Sequence, residues 1–391
     1  MDNLNLEDVP KELKLLLELL RSDYDTVVDL HSKLFTAVDW NLFMELSMHH
    51  RIFPLLFSKL KVTNSDMIPP YVIEFISQQY KKNTFQMLYL SGEMEKVAKI
   101  FSAKQLPLLF LKGPALAHDL YGDISLRTSS DLDILIPIDK LEKAEELLVE
   151  EGYVKDDYIQ TVLNDWKWRH HHITFFHPQK RIKLEIHWRL NPGPAREPGF
   201  DELWKRKRKS KLTGTSIYIL SKEDLFLFLV SHGSRHGWSR LRWLMDIGQL
   251  IKKDVDWALT MKTLGKYRYH RAGGQAIILA SQLVDSGSAN EIAYLTSNKS
   301  INQLAQQAVF YLERMVNLHT DPVPEEVARY HKRHLFSLMS LEQKFFFIIS
   351  FLHPYPEDKE ALPLPNRIHF LYFPLRPFLW AWRKTRKHAL Q

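Results

Sequence analysis

Between Asp131 and Ile136 the chain reads Asp-Leu-Asp-Ile-Leu-Ile, and strict two-residue alternation of this kind predicts a strand with one buried face. Leu132, Ile134 and Ile136 share the apolar side, and Asp131 and Asp133 share the other. This short run places a sheet inside a chain otherwise dominated by helical spacing, so the expected fold class is α+β. Upstream, the apolar run Leu106–Leu111 ends in Lys112-Gly113-Pro114, which predicts a buried strand turning into a helix with proline at its first position. Downstream, Asp139 is positioned to cap a helix over 140–151 whose apolar stripe is Leu141, Ala144, Leu147 and Leu148. Ile173–Phe176, the turn-like His177-Pro-Gln-Lys180 and Arg181–Trp188 predict a hairpin. In its second strand Ile182, Leu184 and Ile186 face one way, and Lys183, Glu185 and His187 the other.

Helices flank this segment. Leu13, Leu16, Leu17 and Leu20 keep helical spacing, as do Trp40–Leu60 and Val72–Phe101, with Pro69-Pro70 as the break between the last two. The pattern is helical again from Ser221 to about Leu352, and Pro354–Pro377 holds too many prolines for one long helix. The expected organisation is a helical N-terminal region (1–100), a catalytic core (101–215), a helical domain (216–352) and a Pro-, aromatic- and base-rich C-terminal segment (353–391).

With no cysteine among 391 residues, disulfide scaffolds, thiolate zinc sites, iron–sulfur clusters and cysteine nucleophiles are excluded. Neither a secretory leader nor an apolar run of membrane-spanning length is evident, and a cytoplasmic location is expected. The formal net charge of +7 is mostly local: residues 363–391 hold six bases and no acid, leaving +1 for the remainder. On that balance a nucleic-acid footprint over the whole chain is disfavoured.

Two aspartates at i and i+2 of one strand present their carboxylates on the same side. If Glu185 approaches from a neighbouring strand, the three acids form an all-oxygen set suited to Mg²⁺ or Mn²⁺. Two such ions can clamp the attacking and leaving oxygens of an in-line phosphoryl displacement. The strand end at Lys112-Gly113 and the helix opening at Pro114 put a lysine and backbone amides where a triphosphate can rest.

The ordered set Leu111-Lys-Gly-Pro-Ala-Leu116, Tyr121-Gly-Asp123, Arg127, Ser129 and Asp131-Leu-Asp-Ile134 resembles the nucleotidyltransferases of the DNA polymerase beta-like superfamily. Within it, the segment looks most like an uncharacterised nucleotidyltransferase family; it is also similar to the nucleotidyltransferase toxins of abortive-infection systems. The resemblance extends to Leu184-Glu-Ile-His-Trp188 and to the string from His232 to Asp246. It implies a mixed sheet with flanking helices, and transfer of a nucleoside monophosphate from an NTP such as ATP to an acceptor with release of pyrophosphate. Asp131, Asp133 and Glu185 would be the metal ligands and catalytic acids. Gly113 is followed by proline here, where the superfamily has a second glycine or a serine nearer the first aspartate. The acceptor is expected to be a small molecule, sugar phosphate or natural-product intermediate. RNA or protein as the target, tailoring of a peptide with a nucleotide-activated donor, and a non-catalytic nucleotide-binding module are the alternatives.

Further substrate contacts are assigned to Lys112 and Gly113 on the phosphates, to Ser129, and to His187 beside Glu185. Arg127 is expected either on a phosphate or paired with Asp133. In His170-His171-His172, strand alternation prevents all three rings from meeting one ion, and His171 or His172 can face the active site. The segment His232-Gly-Ser-Arg-His-Gly is expected to bring Arg235, His236 and Trp238 toward the cleft, with Trp238, Trp243 and Met245 equally able to be core and Asp246 pairing Arg242. The run Lys205–Lys211 reads as a solvated loop. Residues 366–388, with Phe370, Tyr372, Phe373, Phe378, Trp380 and Trp382 among the bases, allow peripheral membrane or nucleic-acid contact, though burial against the helical domain is the plainer expectation.

Overall fold

Among the described residues, seven strands form one mixed sheet: β1 (Leu109–Phe110), β2 (Asp131–Leu135), β3 (Val154–Lys155), β4 (His172–His177), β5 (Ile182–His187), β6 (Arg208–Lys209) and β7 (Tyr218–Ile219). Their order is β3-β4-β5-β2-β1-β7-β6. This computed structural model describes residues 3–388 apart from 23, 62–66, 157, 158, 160, 161, 164, 165, 194 and 285–297. The side chains of Lys384, Arg386 and Lys387, three of the six tail bases, lie outside the described set.

The decisive pairing is β2 against β5. They run parallel, with Asp131 opposite Lys183, Asp133 opposite Glu185 and Leu135 opposite His187. Leu132, Ile134, Leu184 and Ile186 are fully buried on the opposite side. Burial of each such side chain contributes about 1.5–3 kcal/mol, and a one-residue slip of either strand would turn its pair to the polar face. The apolar face therefore sets the register of the acids. β4 pairs antiparallel with β5 as the predicted hairpin and sets His172 opposite His187.

The predicted strand-to-helix turn is present: the helix Pro114–Tyr121 opens with proline at its first turn, after Gly113 at φ 78°. The helix after β2 starts at Leu141, not at 140, and Asp139 does not cap it. A 3₁₀ turn over Ile138–Lys140 intervenes, and the Asp139 carboxylate lies 3.1 Å from the Lys140 amine. Helices from both ends of the chain share one core: Leu13, Leu16 and Leu20 pack in the same cluster as Phe226, Leu244 and Ile278. A second cluster holds the apolar face of the sheet together with the end of the long helix Pro70–Ala103 and the helix Leu141–Glu150.

A buried ion pair ties the start of β2 to the helical region. Arg127 donates from Nε and Nη2 to the Asp246 carboxylate at 3.0–3.1 Å, and Tyr121 donates to the same carboxylate at 2.9 Å. Arg127 was expected on a phosphate or on Asp133. Its acid partner is Asp246, on the helix Leu241–Ile251, and not Asp133, because its guanidinium enters the interior beside that buried acid; the residue also lines the cleft on the polar side of the sheet. Arg242, expected on Asp246, donates instead to the backbone oxygen and hydroxyl of Thr128.

Other expectations also shift. The helix Lys222–Arg235 runs through Gly233, where an added Cβ would lie 2.2 Å from the Trp238 ring. Trp238 is fully buried and donates to Gln275 at 2.9 Å, so it belongs to the core and not to a cleft. The run Lys205–Lys211 is no solvated loop: it ends the helix Phe200–Arg206 and forms β6, with Arg206 on Asp224 and Arg208 bidentate on Asp119. In the tail, Tyr372 and Leu379 are buried, whereas Phe370, Phe378 and Trp380 stay largely exposed on or next to the helix Tyr372–His388. Burial of the tail aromatics is thus partial. No helix among the described residues is long and apolar enough to cross a membrane.

Removing one partner of a buried pair strands a charge. Asp246→Ala is therefore expected to lower stability by about 3–5 kcal/mol, read as a fall in the urea midpoint. Gly233→Ala should cost about 1–3 kcal/mol through overpacking against Trp238, measured in the same way.

Candidate functional site

The polar side of β2 and β5 forms the floor of a cavity of about 530 Å³. Asp133 lies deepest. It is 1% exposed, with the Lys112 amine 3.2 Å and the His187 Nε2 3.1 Å from Oδ1. The same His187 nitrogen is 3.4 Å from Glu185 Oε2, and the Lys183 amine is 2.5 Å from Glu185 Oε1. His187 therefore bridges the two carboxylates that the parallel register sets side by side. His172 lies 3.8 Å from Glu185 and hydrogen-bonds the ring of His171 at 3.1 Å.

These contacts decide the charge states. Burial works against ionisation of Asp133, but Lys112 and His187 overcome it and hold its carboxyl below the ordinary range. Burial likewise opposes ionisation of Glu185, and the hydrogen bond and charge of His187 hold it well below. His187 is raised: burial would lower it, and its bonds to Asp133 and Glu185 prevail. Asp131, which lacks such bonds, is raised by burial and by the Asp133 charge. Burial and the His187 charge push His172 down to about 4.

Asp133 Oδ2 is buried and has no hydrogen-bond partner among the described residues. An orphaned carboxylate oxygen costs on the order of 1–3 kcal/mol or more if nothing is bound to it. Asp133, Glu185 and His187 each offer a polar atom within 4.8 Å of the others; His187 Nε2 is engaged by both acids, so it is the two carboxylates, with the open Asp133 Oδ2, that fit a divalent cation. Asp131 lines the cavity but stands outside that close set.

Beside Leu190, Pro192, Phe228 and Trp243, much of the remaining lining is basic. Arg51, Lys112, Lys183, Arg235, Arg240 and Arg242 all reach the cavity, with His232, His236 and His319. Burial and the nearby Arg51 lower Arg240 to about 10, and burial with Arg127 and Arg51 lowers Arg242 well below its usual value. Cations crowded at this cost are stabilised by a polyanion placed among them. The near-neutral balance of residues 1–362 therefore conceals a strongly positive cleft.

Of the residues expected at the site, Asp131, Glu185, Lys112, Arg127, Ser129, His187, Arg235 and His236 line this cavity, and Asp133 lies beneath. The Ser129 hydroxyl donates to the backbone oxygen of Asp131 at 3.1 Å. Gly113 departs from expectation: it is buried and does not line the cavity, and a Cβ added there would lie 3.4 Å from the Leu132 side chain. Its left-handed backbone turns the chain from β1 into the helix, while the neighbouring Lys112 carries the charge. Sequence reasoning missed Arg51, Arg240 and His319. They come from the N-terminal helices, from the turn after Trp238 and from a distant loop, and only tertiary packing collects them.

No curated protein matches the chain. The model of a family described as uncharacterised nucleotidyltransferase matches residues 36–285, well over half the chain. That span contains β1 to β7, the three acids and all the arginines of the cleft. The protein belongs to this uncharacterised nucleotidyltransferase family.

Proposed function

We propose that the cleft binds an NTP with Mg²⁺ or Mn²⁺ and transfers its nucleoside monophosphate to a hydroxyl of a small acceptor. The observation that carries this reading is the pairing of a buried acid cluster, one of whose oxygens has no hydrogen-bond partner among the described residues, with a wall of arginines and lysines over the same cavity. Asp131, Asp133 and Glu185 would hold the cation. Bound there, it supplies positive charge against that developing on the transferring phosphoryl group.

The chain's own residues do the rest. Lys112, anchored on Asp133, presents a fixed charge to the polyphosphate, and Arg51, Arg240 and Arg242 neutralise its remaining oxygens. The acceptor oxygen forms a bond to the α-phosphorus as the bond from that phosphorus to the bridging oxygen breaks, and pyrophosphate leaves. The hydroxyl proton passes to Asp131, the cavity carboxylate whose proton affinity burial and the Asp133 charge raise. His187 keeps Asp133 and Glu185 apart and oriented, and is a positioning residue. Enclosure of the cleft by side chains from both cores favours a small acceptor over a nucleic-acid duplex. Peripheral membrane contact through residues 366–388 stays part of the same reading, supported by the exposed tail aromatics, as does a cytoplasmic location.

Incubation with each α-labelled NTP, Mg²⁺ and cell extract should move label into a small molecule. Asp133→Asn should lower the rate by ~10² or more, the scale of losing one preorganised charge, and chelation should abolish transfer. Equal labelling by the variant contradicts the assignment. Arg240→Ala should raise the KM for NTP by ~10-fold or more while the protein stays folded, since hydrogen bonds to charged groups are worth about 1.5–3 kcal/mol. Initial-rate kinetics with varied NTP read this out.

A further inference from the structure

A second cavity, of about 230 Å³, adjoins the cleft and shares Pro192 and Arg235 with it. Its walls are largely apolar: Ala272, Leu335, Leu338, Met339 and Phe347, with Tyr269. An apolar cavity of about 150 Å³ holds benzene, so this chamber accommodates a single ring with a short substituent, or a branched chain. Arg235, at the wall common to both spaces, is the unusual group. Its Nη2 lies 3.4 Å from the His232 ring, and its Nη1 is buried with no hydrogen-bond partner among the described residues. The nearby cations Arg268 and Arg271 are already engaged, by Glu342 and by the Ser337 backbone oxygen. Burying a guanidinium with an unused donor is costly unless an anion completes it.

From this we infer that the chamber is the acceptor subsite, and that the acceptor is a small hydroxy-substituted carboxylic acid with an apolar body. The inference rests on the nucleotidyl-transfer reading of the adjoining cleft. The apolar body fills the space between Ala272, Leu338 and Phe347. The carboxylate meets Arg235, whose single charge matches a carboxylate better than a dianionic phosphate monoester. The hydroxyl then extends past Pro192 into the cleft, where the nucleotide is held. Next to Pro192, the amides of Leu190 and Asn191 donate to Glu197 at 2.9 and 2.8 Å, which braces this side of the passage between the two spaces.

The test uses the full chain with 3-phenylpropionate and its neutral isostere 3-phenylpropionamide as probes, read by saturation-transfer NMR and calorimetry. The carboxylate should bind ~10-fold or more tighter than the amide, the scale of one charge-assisted hydrogen bond. Arg235→Gln should erase that difference. Ala272→Leu, which fills the chamber, should block both probes; Met339→Phe, at the half-buried rim, serves the same purpose if the first variant does not fold. Equal binding of acid and amide, undiminished binding to a folded filling variant, or no binding of the carboxylate at millimolar concentration would each overturn the inference. Nucleotide binding by the same samples separates the two readings. If a Mn²⁺–ATP analogue binds and the carboxylate does not, the subsite alone is lost; if neither binds, the reading of the cleft falls with it.

Discussion

Register between β2 and β5 is the constraint on which the rest depends. Leu132, Ile134, Leu184 and Ile186 must be buried together, and a parallel pairing that buries them sets Asp133 directly beside Glu185. Two carboxylates placed there would repel one another. Lys112, His187 and Lys183 make the arrangement tenable by bonding to them. The same apolar packing that stabilises the sheet thus concentrates negative charge at one point on its polar face, and the chain surrounds that point with cations.

The two hydrophobic cores divide the labour. One holds the sheet and with it the acids. The other joins N-terminal helices to helices after Ser221, and supplies Arg51, Arg240 and Arg242 from that side of the cleft. Arg127, paired with Asp246 and supported by Tyr121, locks the first to the second immediately before Asp131. Arg127 fixes how the acid-bearing strand faces the basic wall and itself lines the cleft.

Much of the acid site was legible in the sequence, because strand alternation is local and assigns faces without knowledge of the fold. Asp131, Asp133, Glu185 and His187 were all found by that argument, and the Lys112-Gly113-Pro114 turn by its proline and glycine. What could not be read was anything set by long-range packing. Arg127 has an acid partner more than a hundred residues away, and nothing near it in sequence points to Asp246. Trp238 could be read as core or as cleft, and what decides for the core is the room left by the missing side chain at Gly233. The basic wall was hidden for the same reason: summing charge along residues 1–362 averages over the very separation of charge that folding produces. The family resemblance carried the reaction class but not the acceptor, since the chamber beside the cleft is lined by residues well beyond the acid motifs.

Direct titration of Mn²⁺ into the protein, followed by electron paramagnetic resonance of the free ion, bears most closely on the acid cluster. Saturable binding is expected in the parent, strengthened by a non-hydrolysable ATP analogue and weakened ~10-fold or more by neutralising Asp133 to Asn. Unchanged Mn²⁺ affinity in that variant, with the fold intact by circular dichroism, would contradict the assignment of these carboxylates as a cation site.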